Sequence, residues 1–222
     1  MFEISKTFTF SAAHSVFSQQ LNPKWTTNTY PKCRRLPGHG HDYKLTVYLC
    51  SETLDKSQMV TDFHHLSWFK QFLDRCFDHK LILSLQDSGT LLFLKKLNLI
   101  DDDVFSLPEI EKMKPSVKFY GVETDFSFVS GEIDVDAIDL SRFIYLTFDN
   151  FSCPAFSEKS VVEIDFYQRL LDGIALFKYS PTSEQMAKFF YKFINKNIEP
   201  LGVRCSRVSI SETETSCATY SE

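Results

Sequence analysis

Three histidines near the N-terminus are the residues of this chain best placed to do chemistry. His39 and His41 flank a single glycine. In an extended strand, side chains two residues apart leave from the same face. Residues of like parity follow them, Tyr43, Leu45, Val47 and Leu49, and form an apolar row suited to a core. Ile4, Phe8, Phe10 and Ala12 make a second such row, which ends on His14. Imidazoles therefore tip two inward-facing rows. Three neutral nitrogen ligands with an open fourth position are the donor set of a catalytic zinc, able to polarise a substrate carbonyl or hydroxyl. The plainer reading is a pair of strand histidines hydrogen-bonded to their neighbours; a third histidine at the end of another inward row favours metal.

Further residues can join this group. Cys33 lies six residues before His39, beside Lys32, Arg34 and Arg35. Those cations favour a thiolate, which can act as base or nucleophile, and they can also bind phosphate groups. Otherwise Cys33 is a small buried hydrophobe in a solvated basic loop. Asp78-His79 reads either as a helix-end cap or as an acid–base pair in which the carboxylate orients the imidazole. Glu212 shares parity with Val208 and Ile210, and a carboxylate on a core face needs a partner. A heterocycle presenting two adjacent N–H donors, such as a pterin or guanine, would satisfy it. So would Arg204 or Arg207, or a bulge that turns it outward.

The elements that must position these residues are legible in outline. Residues 2–14 and 41–50 read as strands, joined by a loop over 22–38 too long for a tight hairpin. Thr61 and Asp62 cap a helix whose apolar positions Phe63, Leu66, Phe69, Leu73 and Cys76 run to about Phe77, with His64 and His65 solvated in its first turn. Ser180-Pro181-Thr182-Ser183-Glu184 opens a second helix that buries Met186, Phe189, Phe190, Phe193 and Ile194. Residues 203–210 and 217–220 close the chain as two strands. Strand, strand, helix, helix, strand, strand is an α+β order with segregated helices. Between the helices, residues 86–179 hold 17 acidic and 9 basic residues, which makes the rest of the chain net positive. Its aromatics argue for an ordered insertion, with β-like runs at 117–122, 126–129 and 143–148 and an amphipathic stretch over 161–177.

Bulk properties set limits on class. The 222 residues, 43% of them hydrophobic and 22 of them phenylalanine, suffice for one domain with a large core or subunit interface. No apolar run is long enough for a membrane helix, and no signal segment opens the chain, so a cytoplasmic protein with reduced cysteines is expected. The six cysteines form no Cys-x-x-Cys pair, which disfavours a sulfur-only metal site. A net charge of −5 without a basic run disfavours nucleic-acid binding.

Six segments in order resemble the 6-pyruvoyl-tetrahydropterin synthase family, including its bacterial branch of 6-carboxy-tetrahydropterin synthases in queuosine biosynthesis. They are Phe8-x-Phe10-x-Ala12-Ala13-His14, Cys33 ahead of His39-Gly40-His41, Asp62-Phe63, Asp78-His79-Lys80-Leu81, Pro181-Thr182-Ser183-Glu184 and Ser211-Glu212-Thr213. The resemblance covers residues 1–85 and 180–222, which would form one T-fold domain interrupted by the acidic insertion 86–179. It implies a four-stranded antiparallel sheet with two helices on one face, assembled as a homohexamer, a dimer of trimers with active sites between subunits. It further implies zinc on His14, His39 and His41, proton transfer by Cys33, Asp78 and His79, and pterin binding by Glu212 with Thr182 and Ser183. The implied substrate is 7,8-dihydroneopterin triphosphate, and the implied products are 6-carboxy-5,6,7,8-tetrahydropterin, triphosphate and acetaldehyde. A 6-pyruvoyl product, an aldolase-type cleavage and a non-enzymatic pterin- or purine-binding module are the alternatives. One departure stands out: family members usually space the motif Cys-x-x-x-His-Gly-His, and here Cys33 stands two residues further away.

Overall fold

The structure is a computed structural model describing residues 1–26, 32–34, 38–84, 86–96, 144–146, 173–177 and 179–222. In chain order its elements are β1 (Phe2–His14), β2 (His39–Ser51), α1 (Ser67–Cys76), β3 (Leu81–Ser84), α2 (Ser88–Lys96), β4 (Ile144–Leu146), β5 (Ile174–Phe177), α3 (Ser183–Ile198), β6 (Arg204–Thr213) and β7 (Ser216–Tyr220). They build one sheet in the order β4-β5-β3-β1-β2-β6-β7.

Strands β1, β2, β6 and β7 are the antiparallel part. The inward rows are buried as their parity requires, with Tyr43, Leu45, Val47 and Leu49 at most 1% exposed, Phe8, Phe10 and Ala12 buried, and Ile4 partly buried at the end of its row. A bulge where β2 meets β6 sets Cys205 and Val208 on the same face, although they are three positions apart. Helices α1 and α3 cover that face, so the core is largely aromatic. Phe8 meets Phe69 edge-on at 5.1 Å, Phe10 stacks on Tyr43 at 4.9 Å, and Phe77 meets Phe190 at 4.8 Å.

Helix starts follow the sequence chemistry. Asp62 accepts the His64 N–H and opens a 3-10 turn, Phe63–Leu66, that leads into α1. Thr182 accepts the Gln185 N–H at 3.3 Å and caps α3, whose residues Met186, Phe189, Phe190, Phe193 and Ile194 are all buried. Asn195 ties α3 to β6 by accepting the Cys205 N–H and donating to the Cys205 carbonyl.

The sheet departs from the four-stranded expectation at one edge. β3 lies parallel to β1, β5 parallel to β3, and β4 parallel to β5. Leu81-Ile82-Leu83 and Ile174–Phe177 are short continuous apolar runs. Strands buried on both faces lose the alternation that marks half-buried ones, and the second run forms the end of the stretch over 161–177 expected to be amphipathic. β4 falls within the run expected at 143–148, while the runs at 117–122 and 126–129 lie outside the described residues.

Candidate metal and heterocycle site

Pairing of β1 with β2 sets His14 directly opposite His39, and Ala12 opposite His41. The three rings converge, with centroids 4.7 Å apart for His14–His39, 5.2 Å for His14–His41 and 4.6 Å for His39–His41. One nitrogen from each ring lies within 4.8 Å of the others. His14 Nδ1 is 2.8 Å from the Pro181 carbonyl, which can only accept, so Nδ1 carries the proton and Nε2 presents its lone pair. That Nε2 stands 3.3 Å from His39 Nε2. Two nitrogens bound tetrahedrally to zinc at about 2.05 Å would be about 3.3–3.4 Å apart. Nδ1 of His39 and Nε2 of His41 are buried with no hydrogen-bond partner among the described residues. Burial lowers the pKa of His14, and burial followed by the neighbouring His41 lowers that of His39. Three convergent imidazoles, one with its tautomer fixed by the Pro181 carbonyl, fit a divalent cation.

Gly38 makes this convergence possible. Its φ is +110°, and a Cβ built there would stand 2.4 Å from the His14 carbonyl oxygen. Gly40, between the two histidines, has no such constraint: its Cβ would meet only the Ala12 oxygen at 3.7 Å.

Glu212 faces the histidines. Its Oε1 accepts the Ser183 hydroxyl at 2.7 Å and lies 3.8 Å from His14 Nε2, with the side chain 25% exposed. Neither arginine competes for it. Arg207 makes a two-point contact with Glu3 at 3.1 and 2.8 Å and lies over Tyr48, while Arg204 donates to the Cys50 sulfur at 3.2 Å. Ser183 thus belongs to the site through Glu212, whereas the Thr182 hydroxyl is engaged as the helix cap.

Cys33 sits in a 3-10 turn, Lys32–Arg34, despite the longer loop. Its carbonyl accepts the Val16 N–H at 2.8 Å. Gln19 grips it twice: the Cys33 N–H donates to Oε1 at 3.2 Å, and Nε2 donates to the sulfur at 3.3 Å. The expectation that neighbouring cations favour the thiolate is reversed. Burial, and then the Glu212 charge, push the thiol above its ordinary value. Of those cations, Arg35 lies outside the described residues.

Asp78 and His79 form a second centre. Asp78 accepts the Ser11 N–H at 2.8 Å and sits 2.9 Å from His79 Nδ1. His79 is 82% exposed and has φ of +58°, held by its N–H to the Ser11 carbonyl. A non-glycine residue in that conformation is uncommon and marks a constrained position. Within the chain, no described contact joins this pair to the three histidines. His64 is exposed beside Asp62, and His65 bonds Thr61 at 2.7 Å.

Sequence reasoning left out Gln19, the Pro181 carbonyl and Tyr43 as site components. Tyr43 was legible only as core; its ring abuts His14 and His41, and its hydroxyl has no partner among the described residues. Gln19 gives no signal, because only the loop's path brings it to Cys33.

A histidine-tipped antiparallel sheet backed by two helices, with a carboxylate facing the imidazoles, defines a T-fold protein with a candidate metal site. The sequence profile of the 6-pyruvoyl tetrahydropterin synthase family matches residues 3–222, and the chain belongs to that family. It is 27% identical over 229 residues to the 6-carboxy-5,6,7,8-tetrahydropterin synthase of Aquifex aeolicus, covering 99% of this chain and 98% of that one. It is 29% identical over 137 residues to the 6-pyruvoyl tetrahydrobiopterin synthase of Pongo abelii, covering 59% of this chain and 92% of that one. Among solved structures, an uncharacterized protein from Wolinella succinogenes superposes with a TM-score of 0.63 at 28% identity, covering 99% of this chain and 97% of that one. Among the described residues, no helix is long and apolar enough to cross a membrane.

Proposed function

We propose that this protein is a zinc-dependent lyase that converts 7,8-dihydroneopterin triphosphate and one water to 6-carboxy-5,6,7,8-tetrahydropterin, triphosphate and acetaldehyde. The observation that carries the reading is Glu212 facing three convergent imidazoles, one of them with its tautomer fixed. Full-length similarity to the Aquifex aeolicus 6-carboxy enzyme supports the choice of product. Zinc on His14, His39 and His41 would supply Lewis acidity toward side-chain hydroxyls of the substrate. Glu212 accepts two adjacent N–H donors of the pterin ring, with Ser183 holding the carboxylate in place and Thr182 forming the adjacent helix start. Cys33 removes a side-chain proton, and the Asp78–His79 pair carries a second one. Because His79 is exposed within its own chain, it serves a neighbouring subunit, with sites between subunits of a homohexamer. Residues 1–222 act as a single domain, core 1–85 and 180–222, with 86–179 as an acidic insertion. The reaction belongs to cytoplasmic queuosine biosynthesis, with neither nucleic acid nor membrane as partner.

The test is to incubate the purified zinc-loaded protein with dihydroneopterin triphosphate, identify products by mass, and measure zinc in wild type and His41→Ala. Expected are 6-carboxy-tetrahydropterin and loss of bound zinc in the variant. Formation of 6-pyruvoyl-tetrahydropterin alone would reject the carboxy product, and 6-hydroxymethyl-dihydropterin would indicate an aldolase. Ligand binding without turnover would leave a pterin-binding module.

A further inference from the structure

Gln19 stands in the turn that follows β1, five residues after His14. Its N–H donates to Val16 O at 3.1 Å, and the Val16 N–H donates to Cys33 O at 2.8 Å, which sets this turn beside the one carrying Cys33. Ser18 donates to the Ser180 hydroxyl at 3.1 Å, next to the Pro181 carbonyl that holds His14. The Gln19 side chain then closes the circuit on Cys33 itself. A backbone N–H can only donate, so the carboxamide atom 3.2 Å from the Cys33 N–H is the oxygen. That fixes the amide's orientation and leaves Nε2 3.3 Å from the Cys33 sulfur. An NH2 group can only donate in its turn. The sulfur therefore meets Gln19 as an acceptor, a weak role for a thiol and a stronger one for a thiolate. Burial and then the Glu212 charge push the thiol up, and the Gln19 bond acts against both.

We infer that Gln19 is a positioning residue that fastens Cys33 to the strand end bearing His14 and aims a hydrogen-bond donor at its sulfur, so that the site is built to hold a thiolate. One side chain does two separable things. Its oxygen places the Cys33 turn, and its nitrogen stabilises the anion. The loop ahead of His39 is two residues longer than the family pattern, and Gln19 holds its Cys33 end against the metal-ligand strand whatever that length. The consequence for turnover rests on the proposed role of Cys33 as a base, but the state of the thiol can be read without substrate.

The experiment follows iodoacetamide alkylation of Cys33 by peptide mass spectrometry across pH, in the full-length zinc-loaded protein. The pH midpoint reports the thiolate, and the plateau rate above it reports access to the sulfur. Wild type is compared with Gln19→Met and Gln19→Glu. Methionine keeps the length of the side chain and removes both bonds. Glutamate keeps an acceptor for the Cys33 N–H but turns a second oxygen and a charge on the sulfur. Both variants should move the midpoint upward, with the thiolate fraction at neutral pH about tenfold lower in Gln19→Met. The plateau rate should rise in Gln19→Met, whose turn is unfastened, and stay at the wild-type value in Gln19→Glu. A residue that only packs predicts wild-type midpoints in both variants, and that result overturns the inference. So does an unchanged plateau in Gln19→Met, which would show that the oxygen does not fasten the turn. Should Gln19→Met fail to fold, Gln19→Asn decides: one methylene shorter, it gives up the sulfur, so a raised midpoint supports the inference and a wild-type one counts against it. In turnover, the variants should lower kcat and leave KM unchanged. A wild type that turns over no pterin defeats the lyase reading and leaves the alkylation result standing.

Discussion

Glu212 exerts its charge on several neighbours at once. It stands near His14, takes the Ser183 hydroxyl, and contributes to holding the Cys33 thiol above its ordinary pKa. The sign of the last effect is testable. An anion disfavours a second anion, so Glu212→Gln should shift the pH midpoint of Cys33 alkylation downward, with more thiolate at any given pH. The burial contribution remains, so the shift should be partial. An unchanged or raised midpoint would mean that Glu212 does not act on the thiol. The same coupling gives the pocket an internal logic: once a ring with two N–H donors covers the carboxylate, the charge opposing the thiolate is partly neutralised. Under the proposed reaction, substrate arrival would thus activate its own base.

At the scale of elements, the site depends on two strands being held at the correct separation, and Gly38 sets that separation. Alanine there would place a Cβ 2.4 Å from the His14 carbonyl, in a backbone region that side chains rarely adopt. Gly38→Ala should destabilise by well over about 1 kcal/mol and lower zinc affinity, whereas Gly40→Ala should leave both close to wild type. Thermal melts and metal titrations of the two variants provide the check; equal behaviour would refute the account. The same contrast shows what the sequence could tell. Parity located the inward rows and all three histidines, because half-buried antiparallel strands alternate strictly. It gave no means of ranking two glycines only two positions apart, since the obligation at Gly38 comes from His14, 24 residues earlier. β3 and β5 escaped for another reason: a strand apolar on both faces has no period to detect. The Cys33 environment is not legible locally, because burial acts first on the thiol and the charge that opposes its thiolate, Glu212, arrives from a distant part of the chain.

For the whole molecule, the separation of Asp78–His79 from the three histidines is the feature with the largest consequence. If each proposed site takes His79 from a neighbouring subunit, mixing Cys33→Ala and His79→Ala proteins after reversible dissociation should restore a measurable fraction of activity. Either variant alone should remain nearly inactive. Failure to complement, with hexamers formed, would place both residues in one subunit's site. A last consequence concerns time. All three candidate ligands lie within the first 41 residues, yet the carbonyl that fixes the His14 tautomer comes from Pro181 and the facing carboxylate from Glu212. Chains emerge from the ribosome N-terminus first, at about 5–20 residues per second. The histidines therefore wait roughly 7 to 35 seconds for the groups that orient them. Tight metal capture belongs to the end of synthesis, so a truncated chain would carry the ligands without holding the ion well.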